Sequence, residues 1–334
     1  MPRTQQARQT ETRNRTSLYD TITQKIVAEL EAGNFPWVRP WKSAGNDHGL
    51  PYNATTGRPY SGINILLLWS AIMERGFVRP AWLTYRQAQA AGGQVRKGER
   101  GTMVVFANRF TPDAEKERAA ANDEDPRSIP FLRSYTVFNV DQCEGLPPEM
   151  TAARGDIAEA AIEPEVKAII AASGVPFRIG GDAAYYAPSG DYVVVPAPEA
   201  FHAPIDWHRT ALHELGHATG HRTRLNRDMT GAFGSEAYAR EELVAEMCAA
   251  FCCATLGIQP TVRHADYLAS WLDVLKGDNR AIIKAASQAS KAADWILRLT
   301  GDAGALETAE TSGDILAEAG LAPSACPDAN ELAL

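Results

Sequence analysis

The chain predicts an α+β fold in two domains, and three observations carry that reading. At 334 residues it is long enough to bury two cores. Helix-period and strand-period segments mix in each half, and Pro147-Pro148 breaks the chain between them. The charge also changes sign: residues 1–110 carry 15 Lys and Arg against 7 Asp and Glu, a balance of +8, so the remainder holds −16 of the net −8. A basic front half on an acidic protein points to a polyanion partner for that half alone.

Composition narrows the class. Hydrophobic content of 45% and charged content of 22% are those of a globular protein. No apolar run approaches the roughly 20 residues of a membrane span, and the polar, Arg-rich N-terminus has no apolar leader core. A cytoplasmic protein without membrane contact is expected. The five Cys do not make a disulfide framework, because Cys248, Cys252 and Cys253 crowd one segment while Cys143 and Cys326 stand far apart.

Residues 1–16 read as a mobile basic arm, and 17–145 as the first domain. Ser17 caps a helix striped by Tyr19, Ile22, Ile26 and Leu30, with Gly33 at its end. Pro36-Trp37-Val38-Arg39-Pro40-Trp41 cannot be helical, and a polar loop runs on to Tyr60. A second helix is expected from Ser61 to Arg75, and a third from the run beginning at Ala81, with Thr84 as cap and Gly92-Gly93 closing it. The basic turn Arg96–Arg100 leads into a strand at 102–106, which pairs with a second strand at 135–140. Between them, 111–130 has no periodicity and reads as an insertion loop.

Residues 146–156 read as a linker and 157–300 as the second domain. A helix near 164–172 and a strand at 177–179 precede a hairpin, 184–188 and 192–196, turning at Ser189-Gly190-Asp191. The strand at Tyr192–Val195 is considered as an edge that an extended substrate could join. Helices follow near 206–220, 235–257, 264–276 and 279–300. No Lys or Arg occurs after Arg298, and 301–334 reads as a disordered acidic tail.

The helix near 206–220 carries the chemistry. It holds His213-Glu214-Leu-Gly-His217, the spacing H-E-x-x-H, with Asp206 as expected cap and Gly220 as expected stop. On a helix i and i+4 share a face, so both imidazoles can reach one Zn²⁺, with Glu214 beside them as general base. Zinc needs a third protein ligand. In the longer pattern H-E-x-x-H-x-x-G-x-x-H the last position is Thr223 here, and His221 follows the stop glycine. The alternative is a Glu from the next helix, where Glu241, Glu242 and Glu246 lie beside the stripe Leu243, Met247, Ala250, Phe251 and Ala254. Glu242 and Glu246 share a face at i, i+4, which suits one metal ligand and one partner orienting a His. Glu242 is taken as the ligand. A second group for the oxyanion is expected, with Tyr238 and His221 as candidates.

These residues and others resemble a known family. Pro36-Trp37, Pro40-Trp41, Gly57-Arg-Pro-Tyr60, Gly62-Ile-Asn64, Trp82-Leu-Thr84 and Gly93-Gln-Val-Arg-Lys-Gly98 are similar to the N-terminal domain of ArdC-type antirestriction proteins, a domain shared with conjugative plasmid primases. His213-Glu-Leu-Gly-His217, Thr219-Gly-His221, Arg224-Leu225 and Tyr238-Ala-Arg-Glu-Glu-Leu-Val-Ala-Glu246 resemble the zincin-like metallopeptidase domain joined to it. The resemblance implies single-stranded DNA binding by the first domain, a metal site in the second, and protection of incoming plasmid DNA from host restriction.

The first domain has the residue types for a single-strand binder, which combines a cationic groove with aromatic faces. Trp37, Trp41, Tyr52, Tyr60, Trp82 and Tyr85 interleave with Arg39, Lys42, Arg58, Arg86, Arg96, Lys97 and Arg100, and of these Trp37, Trp41, Tyr60, Trp82, Lys42, Arg58, Arg86, Arg96, Lys97 and Arg100 are the candidate DNA contacts. Two functional readings follow. In one, a zinc metallopeptidase is brought by single-stranded DNA to a host restriction or DNA-processing protein. In the other, the protein cloaks DNA and its zinc site is structural or vestigial.

Overall fold

In the computed structural model, which describes residues 17–38, 49–152, 159–232, 234–259 and 267–300, both halves combine helices with small sheets. The expected arm, the acidic tail, Trp41, Lys42 and part of the expected linker lie outside the described residues.

Helix α1 (Leu18–Glu31) starts as the sequence predicts: Ser17 Oγ accepts from the Asp20 amide at 3.1 Å, and Ile22, Ile26 and Leu30 are buried. Strand β1 (Tyr52–Asn53), helix α2 (Ile63–Arg75) and strand β2 (Ala81–Leu83) follow. The expectation of helix from Ala81 is corrected here. All three residues of β2 are buried between β1 and β5, so sheet pairing decides what local pattern did not. Helix α3 (Tyr85–Ala90) begins only at Thr84, in a reciprocal cap with Gln87.

Strand β3 (Gln94–Val95) leads through the basic turn into β4 (Thr102–Phe110). The stretch 111–130 is not a loop: it holds helix α4 (Asp113–Asn122) and the start of β5 (Ile129–Asn139). Ala119 is the one buried residue of α4, so no apolar period announces it, and Lys116–Asp113 and Arg118–Glu115 pairs at 2.8 and 2.9 Å line its outside. As expected, β4 and β5 pair antiparallel, from Thr102↔Val137 to Phe110↔Ile129, in a sheet of order β1-β2-β5-β4. Strand β6 (Cys143–Glu144) pairs with β3, and α5 (Pro148–Thr151) closes this half.

The second half opens with α6 (Glu159–Ala172) and the strands β7 (Phe177–Ile179), β8 (Tyr185–Ala187) and β9 (Tyr192–Val195). Their order is β7-β9-β8, so Tyr192–Val195 is the middle strand, paired on both sides. It cannot add a substrate strand, and that expectation is withdrawn. Helices α7 (Pro204–Ala218), α8 (Glu236–Thr255), α9 (Leu268–Gly277) and α10 (Ala281–Leu297) complete the chain, with α8 packed against the other three.

The halves do not keep separate cores. Trp69 of α2 meets Phe251 of α8 edge-on at 5.7 Å, and Trp37 meets Trp271 of α9 at 5.6 Å. Polar ties cross the same boundary: the Gly62 amide donates to Ser290 Oγ at 2.7 Å, and Thr23 Oγ1 to the Asn279 carbonyl at 2.7 Å. One cluster of buried apolar residues runs through both halves. Among the described residues no helix is long and apolar enough to cross a membrane.

Candidate metal centre

Helix α7 begins three residues earlier than the sequence suggests, with Ala203 and not Asp206 at the cap position. Pro204 occupies its first position, where a missing N–H costs nothing, and Asp206 lies in the first turn, paired with Arg209 at 2.7 Å. His213, Glu214 and His217 are buried in its second half. The two imidazoles are edge-to-face with centroids 4.9 Å apart, as the i, i+4 spacing requires. Helix α8 packs against α7 at Gly216, where even a Cβ would make ordinary contact, 3.4 Å from Cys248 Sγ and 3.5 Å from Ala245 Cα.

That approach brings Glu242 between the two histidines. One carboxylate oxygen lies 3.5 Å from His213 Nε2 and the other 3.5 Å from His217 Nε2. Ligand atoms of all three residues lie within 4.8 Å of one another. Donors about 2.0–2.2 Å from a tetrahedral ion sit roughly 3.3–3.5 Å apart, so this N, N, O set fits zinc or a similar divalent cation.

The neighbouring acids face the other imidazole nitrogens. Glu246 Oε2 is 3.3 Å from His213 Nδ1, and Glu241 Oε1 is 3.3 Å from His217 Nδ1. The three glutamates thus divide: Glu242 stands on the Nε2 side, and Glu241 and Glu246 stand behind the rings, each placed to fix one tautomer. Arg227 grips Glu241 through Nε and Nη2 at 2.9 and 2.6 Å, and it also reaches Thr219 Oγ1 and the Gly216 carbonyl. Gly220 leaves room for this arginine, since a Cβ there would come within 3.0 Å of Arg227 Nη2.

Electrostatics follow from this crowding. Burial works against the charged form of both imidazoles. Glu242 and Glu246 nevertheless lift His213 well above the ordinary histidine range, and Glu241 and Glu242 lift His217 to about 9. Burial likewise opposes ionisation of Glu242 and Glu241. The two histidines hold Glu242 far below the carboxylate range, and Arg227 with His217 keeps Glu241 low. A site that protonates its histidines so readily has the negative charge to take up a cation in place of those protons.

The two oxyanion candidates differ in where they stand: His221 is tied to Thr223, while Tyr238 lies at the candidate metal ligand Glu242. His221 Nδ1 lies 2.8 Å from Thr223 Oγ1 and 3.7 Å from Asp191. Asp191 belongs to a tie between the β8–β9 hairpin and the end of α7: it accepts from Tyr186 Oη at 2.8 Å and from Arg224, whose Nε also donates to the Ala218 carbonyl at 2.6 Å. Tyr238 lies beside Glu242 with its hydroxyl 3.1 Å from that of Tyr267, and Tyr267 stacks on Trp271. Burial, Tyr267 and Glu242 together push the Tyr238 phenol well up.

The candidate DNA contacts separate into buried and exposed. Trp37 and Trp82 are both 0% exposed, so neither offers a face to a base, and their assignment to stacking is corrected. Proline spacing suggested an open loop, yet Trp37 fills the shared core between Phe35 and Trp271. Tyr60 packs against that core too, and burial pushes its phenol up to about 12. Arg58, Arg86, Arg96, Lys97 and Arg100 are exposed. Arg96 ties its own turn together, donating to the Asp141 carbonyl at 2.6 Å and to Glu99 at 2.9 Å.

Sequence reasoning missed Arg227 and Tyr267, and it quoted Arg224 only within the family motif, with no role. The two arginines come from the irregular stretch between α7 and α8, where no periodicity marks a side chain's direction.

Known proteins give the geometry its context. Residues 16–138 match the N-terminal domain of the anti-restriction factor ArdC, and residues 164–288 match a zincin-like metallopeptidase domain. The chain is 42% identical over 294 residues to an uncharacterised protein, y4eC, of Sinorhizobium fredii, covering 86% of this chain and 94% of that protein. It is 38% identical over 292 residues to a DNA primase, TraC, of Escherichia coli, covering 84% of this chain but 27% of the primase. Two crystal structures of the antirestriction protein ArdC from plasmid R388 superpose on it. The metal-free form has a TM-score of 0.71 at 39% identity, covering 85% of this chain and 98% of that one. The Mn(II)-bound form has a TM-score of 0.70 at 40% identity, covering 86% and 99%.

Proposed function

Because the chain belongs to the ArdC antirestriction family, with an ArdC-type N-terminal domain followed by a zincin-like metallopeptidase domain, we propose that it binds single-stranded DNA and protects incoming plasmid DNA from host restriction in the cytoplasm. We assign it a hydrolytic zinc centre held by His213, His217 and Glu242. The convergence of those three side chains is the observation that carries this reading. The Mn(II)-bound relative supports a divalent metal, and the N, N, O donor set is that of zinc peptidases.

A divalent metal bound there supplies Lewis-acid polarisation of a carbonyl and lowers the pKa of water. The chain's own residues do the rest. Glu214 lies beside His213 on the same buried turn and is not among the three converging donors, which leaves its carboxylate to accept a proton from water and return it to the leaving amine. Glu246 and Glu241 hold the two rings in orientation through Nδ1. A structural metal site has no use for Glu214, so its burial at this turn favours hydrolysis over pure cloaking. A host restriction or DNA-processing protein is the proposed peptide substrate.

Glu214→Gln tests this directly. The variant keeps its metal and its DNA affinity. If peptide hydrolysis is the protective act, it loses protection of plasmid DNA, and the restriction enzyme stays whole on a gel where the native protein cleaves it. Full protection by Glu214→Gln with the restriction enzyme uncut in both reactions would overturn the hydrolytic role and leave cloaking.

A further inference from the structure

We infer that Tyr85 and Phe138, with Arg100 and Lys97, form a base-stacking and phosphate-binding site for single-stranded DNA on the N-terminal domain. This rests on the single-strand reading proposed above and replaces Trp37 and Trp82 as its aromatic element. Tyr85 opens α3 and is 50% exposed, a large ring turned outward where Trp37, Trp69 and Trp82 are buried. Its described ring partner is Phe138, edge-on at 6.4 Å. Phe138 lies on β5 between Val137 and Asn139, which are 2% and 0% exposed. By strand alternation it stands with Thr136 on the opposite face from Val137 and Asn139, in register with the buried Leu83, and is itself half-buried.

The same ring reaches the basic turn. A Cβ at Gly101 would lie 3.2 Å from Phe138 Cζ and 2.2 Å from Thr136 Cγ2. Tyr85, Phe138 and the backbone at Gly101 are therefore one continuous patch, and Arg100 adjoins it. The Arg100 carbonyl is fixed by Gln142 Nε2 at 2.9 Å and by the Arg75 guanidinium, which holds the turn in place. Among the described residues no hydrogen bond or ion pair engages the Arg100 guanidinium or the Lys97 ammonium. Glu99, the acid within the turn, is held by Arg96 and Gln142.

An exposed aromatic, with cations that no described group engages on the turn adjoining its ring partner, suits a splayed base and its phosphates. A duplex keeps its bases stacked inside and offers Tyr85 nothing to stack on. Single-stranded DNA is therefore the occupant.

The test is fluorescence anisotropy of the full chain with a labelled thymidine homopolymer of about 20 nucleotides and with a hairpin duplex, across salt. Tyr85→Ala weakens homopolymer binding about tenfold and leaves the salt slope unchanged, while Tyr85→Phe binds like the native chain. Arg100→Ala and Lys97→Ala each lower the slope of log affinity against log salt by about 0.7. Unchanged melting temperatures separate these effects from misfolding. Native affinity in Tyr85→Ala overturns this site and leaves the single-strand reading standing, whereas equal affinity of the native chain for the duplex counts against both. No binding of the homopolymer by the native chain overturns both.

Discussion

Arg227 clamps Glu241 with two nitrogens, and Glu241 in turn stands 3.3 Å from His217 Nδ1. The orientation of one candidate metal ligand is thus set from a segment with no regular structure. Arg227→Met leaves a buried carboxylate without its main partner. Metal affinity measured by calorimetry falls about 10–100-fold, and the apo protein loses on the order of 3–5 kcal/mol of unfolding free energy. Native metal affinity in a folded Arg227→Met protein would show that this outer shell is idle.

The division of labour among the three glutamates is open to a direct count. His213→Ala or His217→Ala abolishes binding of about one ion per chain, and Glu242→Ala weakens it strongly. Glu246→Gln and Glu241→Gln retain the ion at reduced affinity. Elemental analysis after dialysis checks this, and full occupancy in Glu242→Ala would move the third ligand to a neighbour. Chelation lowers the melting temperature of the native chain and not that of Glu242→Ala.

Asp294 on α10 supplies a pH signature unrelated to the metal. Both its carboxylate oxygens are buried without a hydrogen-bond partner, and burial pushes it up to about 7 against the opposing pull of Arg298. Its folded pKa lies above its unfolded one, so its neutral form adds stability that is fully present below about 3.8. That contribution is lost progressively as pH rises to about 7, by a few kcal/mol at most. Asp294→Asn flattens this decline in a melting series, and an unchanged slope would refute the assignment.

Chemical unfolding of the metal-free chain gives one transition for both halves, because Trp69·Phe251 and Trp37·Trp271 lie in the same core. Trp69→Ala costs about 3–5 kcal/mol and moves the midpoint of probes in either half. Two separate midpoints in the native chain would contradict a shared core.

Much of the site was legible. H-E-x-x-H fixes its own geometry on any helix, and Glu242 stood out by sharing a face with Glu246. Arg227 was not legible, because nothing in the stretch between α7 and α8 says where a side chain points. Trp37 was misread for a different reason. Its prolines describe the local chain correctly, but the partner that buries it, Trp271, belongs to the far end of the sequence. Helix α4 hid because it buries only Ala119 among its residues. The strand Ala81–Leu83 needed neighbours on both sides before its pattern meant anything.

The shared core bears on how such proteins are passed on. A nucleic-acid module and a hydrolase module joined by a string could be shuffled independently. Here a graft of either half alone would carry an apolar wound where Trp37, Trp69, Phe251 and Trp271 now meet. The alignment with the primase fits that constraint: 292 residues, 84% of this chain, recur together inside a far longer protein. In this chain and in that primase the two halves occur together.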